Sequence, residues 1–301
     1  MRKRSPFRFH AVTLAGAIAA AATPLPASSA VQTIDDTGAV VTLVAPATRI
    51  VSLAPHATEL LIAAGAGARI VGAVTAADAP AVAQAVPNVG DARALDLERI
   101  VALEPDLIVT WPYTVPAQVQ ALAARGARVF ITDPTTIDGI ASDIERLGTL
   151  AGTEAQAREA VAAFRERVSR LRAHRPAPPP MRVFYQIWNA PLYTIGGRHL
   201  VSEAIRLCGG ENVFASLALP APAVSVEAVL AARPDLIIAG GDRGVRPAWL
   251  DEWKRWPAIP AVANGSLFVV NADLLHRAGP RFLDGVAELC AAIDTARRNR
   301  R

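Results

Sequence analysis

The 301-residue chain contains none of the short signatures that mark common hydrolases, nucleotide enzymes and metalloproteases. There is no Gly-x-Ser-x-Gly elbow, no phosphate-cradling Walker loop and no His-Glu-x-x-His pair. The glycine-rich stretch Gly65-Ala66-Gly67 follows a helical pattern and has Ile70 where a dinucleotide fingerprint has glycine. Helix termination accounts for it better. Cysteine is scarce, with only Cys208 and Cys290, too far apart for a redox or zinc motif. In an exported chain such a pair favours a bridge over two reduced thiols. The histidines His56, His174, His199 and His276 show no short ligand spacing, which leaves only a metal site assembled in three dimensions. Beyond the leader, no apolar run approaches the roughly 20 residues that a spanning helix needs.

Acidic residues are missing from the first 30 positions, which carry Arg2, Lys3, Arg4 and Arg8. An apolar run over 11–22 follows, then Pro24, Pro26 and Ser28-Ser29-Ala30 before Val31. This is the layout of a cleavable signal peptide over 1–30; the alternative is a retained N-terminal anchor. No cysteine near the cleavage site offers lipid attachment, and no Arg-Arg pair argues for the twin-arginine route. The formal charge of +4 belongs to this leader, because the remainder holds 27 basic and 27 acidic side chains. That balance carries no basic footprint for nucleic acid. An apolar content of 52% excludes intrinsic disorder. The expected mature protein is soluble, exported and periplasmic.

What the rest contains is alternation. A hairpin is expected over 31–48, turning at Asp35-Asp36-Thr37-Gly38, then a strand at 49–53, a helix at 58–64 and a strand at 70–74. Residues 96–108 align without gaps on 225–237, at an offset of 129. Each copy reads as an N-cap (Asp96 or Ser225), a short helix, a Pro-Asp break and a buried strand. Two copies so widely spaced suggest two related lobes. Between them, 153–174 is a long helix, with Thr153 as cap and Ala160, Val161, Phe164, Val168 and Leu171 at three-to-four spacing. It spans about 30 Å before a proline cluster ends it, and a coiled-coil partner helix is the other reading. The expected fold is α/β, with two Rossmann-like lobes of parallel-rich sheet joined by one long backbone helix. Its expected divisions are 31–151, 152–176 and 177–301.

Residues 49–60 (RIVSLAPHATEL), 96–108 (DLERIVALEPDLI), Leu207-Cys-Gly-Gly-Glu-Asn-Val-Phe214, Pro280-Arg281 and Cys290 closely resemble the periplasmic cobalamin-binding proteins of the BtuF type. These belong to the helical-backbone class of ABC-transporter receptors, and the likeness covers nearly the whole mature chain. It implies a ligand cleft between two lobes, a rigid connecting helix and a Cys208–Cys290 disulfide. It also implies that Glu98 and Glu227, at matching places in the repeat, dock into arginine pockets of an ABC-permease dimer in the inner membrane. A plainer reading has each acid favouring its helix dipole.

Ligands of α/β lobes bind at the carboxyl ends of strands. The candidate ligand-binding residues there are His56, Trp111, Tyr113, Gln186, Trp188, Tyr193, His276 and Arg277. Trp111 matches a tryptophan of the resembled family, whereas Ala76, Ala92, Ala221 and Leu274 stand where that family tends to carry aromatics. Trp188, Tyr193 and Tyr113 are expected to replace part of that surface, although each also suits ordinary packing. His56 and His276 read as loop residues of opposite lobes, suited either to axial ligation of cobalt or haem iron or to purely structural hydrogen bonds. Arg277 suits a propionate, amide or phosphate. The expectation is a monomeric receptor for cobalamin or a related corrinoid, with the tetrapyrrole as cargo, no resident cofactor, no bound metal of its own and no catalytic residues. The alternatives are haem or a ferric siderophore as ligand. A more distant one is a secreted metal-dependent hydrolase using His56, His276 and Asp273, which lacks a visible general base.

Overall fold

The computed structural model describes residues 29–74, 81–91, 94–173 and 179–300. The leader up to Ser28, Ala76, Ala92 and His174 lie outside them. The chain enters as the antiparallel hairpin β1 (Val31–Ile34) and β2 (Val40–Leu43). The Asp35 carboxylate holds the turn by accepting the amides of Thr37 and Ala39 at 2.9 and 3.0 Å. Then follow β3 (Ile50–Ser52), α1 (Pro55–Ala63), β4 (Ile70–Ala73), α2 (Ala81–Ala85), α3 (Leu97–Ala102), β5 (Leu107–Thr110), α4 (Pro116–Ala123) and β6 (Arg128–Ile131). The four later strands form a parallel sheet in the order β4-β3-β5-β6. Helices on both sides bury β3 and β5 along their whole length, which is why those strands read as unbroken apolar runs.

Helix α1 starts three residues before the expected position. Proline is well suited to a helix's first turn, and here Pro55 opens the helix after an extended Ala54. Thr58 does not cap; its hydroxyl donates to Ser52 Oγ at 2.8 Å. His56 therefore belongs to a helical first turn and not to a loop. The helix ends as its glycine suggested. Gly65 has φ +80°, its amide reaches the Ile62 carbonyl and the next amide reaches Leu61, closing a Schellman cap. A Cβ at Gly65 would also meet Gln156 at 2.7 Å, so this glycine admits the neighbouring long helix.

That helix, α6 (Glu154–Ala173), follows α5 (Ile137–Ala151) and packs on α1 and α5. The second lobe comprises β7 (Met181–Asn189), β8 (Leu192–Thr194), α7 (Leu200–Leu207), β9 (Gly210–Asn212), α8 (Val226–Ala232), β10 (Leu236–Gly241), α9 (Pro260–Ala263), β11 (Leu267–Asn271), α10 (Ala272–Leu275) and α11 (Phe282–Asn299). Strands β11, β10, β7 and β9 run parallel, and β8 alone is antiparallel, against the far end of β7. Helix α6 also packs on α11, where Arg167 pairs with Asp284.

The internal repeat is a repeat of structure down to single hydrogen bonds. Asp96 accepts the Arg99 amide at 2.9 Å and Ser225 accepts the Ala228 amide at 3.2 Å, capping α3 and α8. Each helix is followed by a non-glycine residue at positive φ, Glu104 at 44° and Arg233 at 46°. The aspartates after the prolines tie down the adjoining strand. Asp106 accepts the Thr48 amide at 2.8 Å, and Asp235 accepts the Arg182 amide at 2.9 Å. Arg49 and Arg182 in turn grip the Leu103 and Ala232 carbonyls through both Nε and a terminal nitrogen. Cys208 at the end of α7 and Cys290 within α11 form a disulfide. Closing a loop of this length should contribute on the order of 4 kcal/mol. Replacing both cysteines by serine is expected to lower the urea midpoint accordingly while preserving the far-ultraviolet circular dichroism; an unchanged midpoint would show that the bridge is energetically idle.

Candidate functional site

A cleft of about 390 Å³ opens between the lobes, within the size range of small-ligand sites. Its first wall stands on the carboxyl ends of β3, β5 and β6. His56 lies in the first turn of α1, Trp111 and Tyr113 follow β5, and Asp133, Pro134 and Thr135 follow β6. The rings of His56 and Trp111 meet edge-on at 5.5 Å, and those of Trp111 and Tyr113 at 5.0 Å. This aromatic file climbs from a buried His56 to a Tyr113 that is 66% exposed. The Asp133–Thr135 lip is braced from behind. Asp36 in the hairpin turn accepts the Asp133 amide at 2.6 Å, Arg146 bridges Asp36 and Asp143, and Asp143 accepts the Thr132 hydroxyl at 2.7 Å. Burial, and then the nearby Asp36, pushes the Asp143 carboxyl up to about 7.

The opposite wall comes from the start of α7 (Leu200) and the two residues before it (Arg198, His199), from Pro220, and from Leu275 and His276 at the end of α10. His199 Nδ1 accepts the Val201 amide at 3.1 Å and so caps α7, which leaves the proton of the neutral ring on Nε2. The His276 ring is exposed to the cleft, and its Nε2 lies 2.9 Å from the fully buried Tyr185 hydroxyl. Arg277 beside it pairs with Asp273 at 3.2 Å.

Three imidazoles thus face one cleft, and all are held neutral. Burial lowers His56 to about 4, opposed by the Thr132 backbone and assisted by Arg277. Burial lowers His199 to about 4, with His276 adding to the effect. Desolvation of the ring lowers His276 as well, with Asp273 acting in the other direction. Among the described residues, no three His, Cys, Asp or Glu side chains come together in a way that would hold a bare metal ion. The chemistry offered is an aromatic face, neutral nitrogen donors and acceptors, and arginines at the margin. That suits a large, flat ligand with polar edges.

The structure gathers His56, Trp111, Tyr113 and His276 in the cleft wall, with Arg277 next to them. Gln186, Trp188 and Tyr193 are not in that wall. Gln186 is buried and spends its carbonyl oxygen on the Trp253 indole N–H at 2.7 Å. Strand β7 runs past the sheet end as a hairpin with β8, carrying Trp188 (55% exposed) and Tyr193 onto that hairpin. Ala221 is exposed and Leu274 is buried beneath the site. The sequence marks no cleft role for Asp133, Thr135, Arg198, His199 or Pro220. Asp133 and Thr135 follow β6, and Arg198 and His199 follow β8, short strands of four and three residues that do not register in the sequence pattern. Away from the cleft, Glu98 and Glu227 sit exposed in the first turns of α3 and α8. Glu227 is held below the usual carboxylate range by hydrogen bonds to its own backbone and to Ser225.

The model of a family described as periplasmic binding protein matches residues 50–274. A protein of Vibrio parahaemolyticus serotype O3:K6 named vitamin B12-binding protein is 34% identical over 259 residues, spanning 85% of this chain and 92% of its own. The crystal structure of the periplasmic vitamin B12 binding protein BtuF of Vibrio cholerae superposes with a TM-score of 0.73 at 34% identity, covering 84% of this chain and 98% of that one. A periplasmic heme binding protein from Pseudomonas aeruginosa superposes at 0.68 with 26% identity, covering 82% and 92%.

The neutral imidazoles have a consequence for stability. Between pH 6.5 and 4 the unfolded chain takes up a proton at His199 that the folded chain refuses. Stability therefore falls as the pH falls, by up to about 1.4 kcal/mol per unit for this one group. Asp143 contributes with the opposite sign, because its raised carboxyl favours the folded state below about 7. His199→Asn keeps a capping side chain and removes only the histidine titration. Urea unfolding at pH 7 and pH 5 should show the wild type losing stability relative to this variant at the lower pH; a constant difference would refute the neutral assignment.

Proposed function

This chain belongs to the periplasmic binding protein family, and we propose that it captures cobalamin or a related corrinoid in the cleft and hands it to an ABC-permease dimer in the inner membrane. The observation that carries the ligand reading is the cleft itself: two lobes meet at a gap walled by Trp111 and Tyr113 on one side and by Leu200, Leu275 and His276 on the other. Relatives that align along most of their length carry vitamin B12 binding in their names. The chain acts as a receptor after export by its leader, and its work is binding without covalent change of the ligand.

Trp111 supplies the stacking face, and the neutral histidines accept and donate hydrogen bonds to amide side arms. Arg277 and Arg198 meet acceptors at the ligand's edge. Glu98 and Glu227 are the docking carboxylates, one at the same place in each repeat, which gives a two-point clamp for a permease with two basic pockets. A second reading, haem as ligand, draws on the same imidazoles and on the heme binding neighbour at 26% identity.

Calorimetry of the mature protein separates the two. Cyanocobalamin should bind with Kd below roughly 10 μM, about 7 kcal/mol of affinity, and Trp111→Ala should weaken it by about tenfold or more. Tight haemin binding with no cobalamin uptake would overturn the corrinoid reading. Charge reversal of both Glu98 and Glu227 should abolish cobalamin uptake in a reconstituted transporter at unchanged ligand affinity. A parallel loss of affinity would show that these carboxylates serve the cleft and not the permease.

A further inference from the structure

Of the three cleft imidazoles, only one is presented as a ligand side chain would be. His56 is buried, with 5% of its surface exposed, and Trp111 stands against its edge. The Nδ1 of His199 is consumed by the helix cap, so what remains is an N–H donor with no lone pair to give. His276 differs on both counts. Its ring is exposed to the cleft, and the nitrogen turned inward, Nε2, is fixed at 2.9 Å by the Tyr185 hydroxyl. Tyr185 is fully buried, and burial raises its phenol, so it stays protonated and acts as a fixed post. The sequence also makes room for the pair. A Cβ on Gly240 in β10 would come 3.1 Å from both His276 Cε1 and the Tyr185 hydroxyl oxygen. An imidazole anchored through one nitrogen by a buried partner, with no hydrogen bond to its other nitrogen among the described residues, is the arrangement by which proteins orient metal-binding histidines. No cluster among the described residues would hold a bare metal ion, so the metal it meets arrives inside the ligand.

Resting on the corrinoid reading above, we propose that His276 coordinates the cobalt of the bound corrinoid through Nδ1, with Tyr185 as its positioning residue. The imidazole lone pair replaces an axial water, which leaves as water, and no electron is transferred. The hydrogen bond to Tyr185 can be made in either sense, so the ring proton resides on Nε2, donated to the phenol oxygen, when Nδ1 binds cobalt. The receptor thereby favours corrinoids with an exchangeable axial position over those whose two axial sites are filled by cyanide.

Electron paramagnetic resonance of the full mature protein with cob(II)inamide, which has no nucleotide base of its own, reads this directly. Each cobalt line of the wild type should split into a nitrogen triplet that becomes a doublet when the protein carries ¹⁵N-histidine. The splitting should vanish in His276→Ala and His276→Gln and survive in His56→Ala. Tyr185→Phe should weaken aquocobinamide binding by roughly tenfold while leaving dicyanocobinamide affinity unchanged. Cob(II)inamide that binds the wild type without nitrogen splitting overturns the proposal without any variant having to fold, and so does a splitting that persists in His276→Ala. A wild type that binds neither cobinamide nor cyanocobalamin overturns the corrinoid reading itself, and this assignment with it.

Discussion

Two carboxylates reach from one lobe to the other, and the width of the cleft depends on them. Glu59, buried in α1, meets Arg281 at the head of α11 at 3.2 Å. Glu203 in α7 accepts the Ile137 amide, at the first turn of α5, at 2.7 Å. In the first contact the carboxylate is buried while the Arg281 side chain stays partly exposed, so removing the arginine would strand a buried charge. The second satisfies one of the orphan amides of a helix start. Helix α6, packed on α1, α5 and α11, adds a continuous rod behind both contacts. Together they tie the two lobes to one another, and in the proposed reading binding energy goes into contacts with the ligand more than into moving lobes.

The same economy shows in the electrostatics. Burial keeps the histidines of the cleft neutral, while Asp133 and the arginines stand at its lip and margin. Full charges are displayed outside the cleft lining, where Glu98 and Glu227 lie exposed on helices that the repeat builds alike. In the proposed reading, capture and docking thus use separate chemistry on separate surfaces. The repeat ties them together, since the aspartates that follow α3 and α8 also anchor the starts of β3 and β7, the strands that carry the cleft.

Much of this was legible in the sequence, because it rests on local rules. Caps at Asp96 and Ser225, the Pro-Asp breaks, the glycine stop at Gly65 and the long amphipathic helix all follow from neighbours within a turn or two. The cleft was legible where a clear strand ends in a loop, as at Trp111, whereas His276 comes a helical turn after its strand, at the end of α10. It failed where strand ends are not what they look like. Gln186 sits midway along a strand that continues into a hairpin, and a tryptophan from a distant 3₁₀ segment takes its amide. His199 follows a strand of three residues, too short for any alternation to register. His56 was mistaken for a loop residue because proline reads as a break, although at a helix start it is an opening.

The central claim is that a corrinoid lies between two lobes whose separation is preset. A crystal structure with bound cyanocobalamin tests it most directly. The account predicts the corrin ring between Trp111 and the Leu200–His276 wall, with Glu59–Arg281 and the Glu203–Ile137 contact intact. A ligand seated elsewhere, or lobes hinged apart with those two contacts broken, would contradict it.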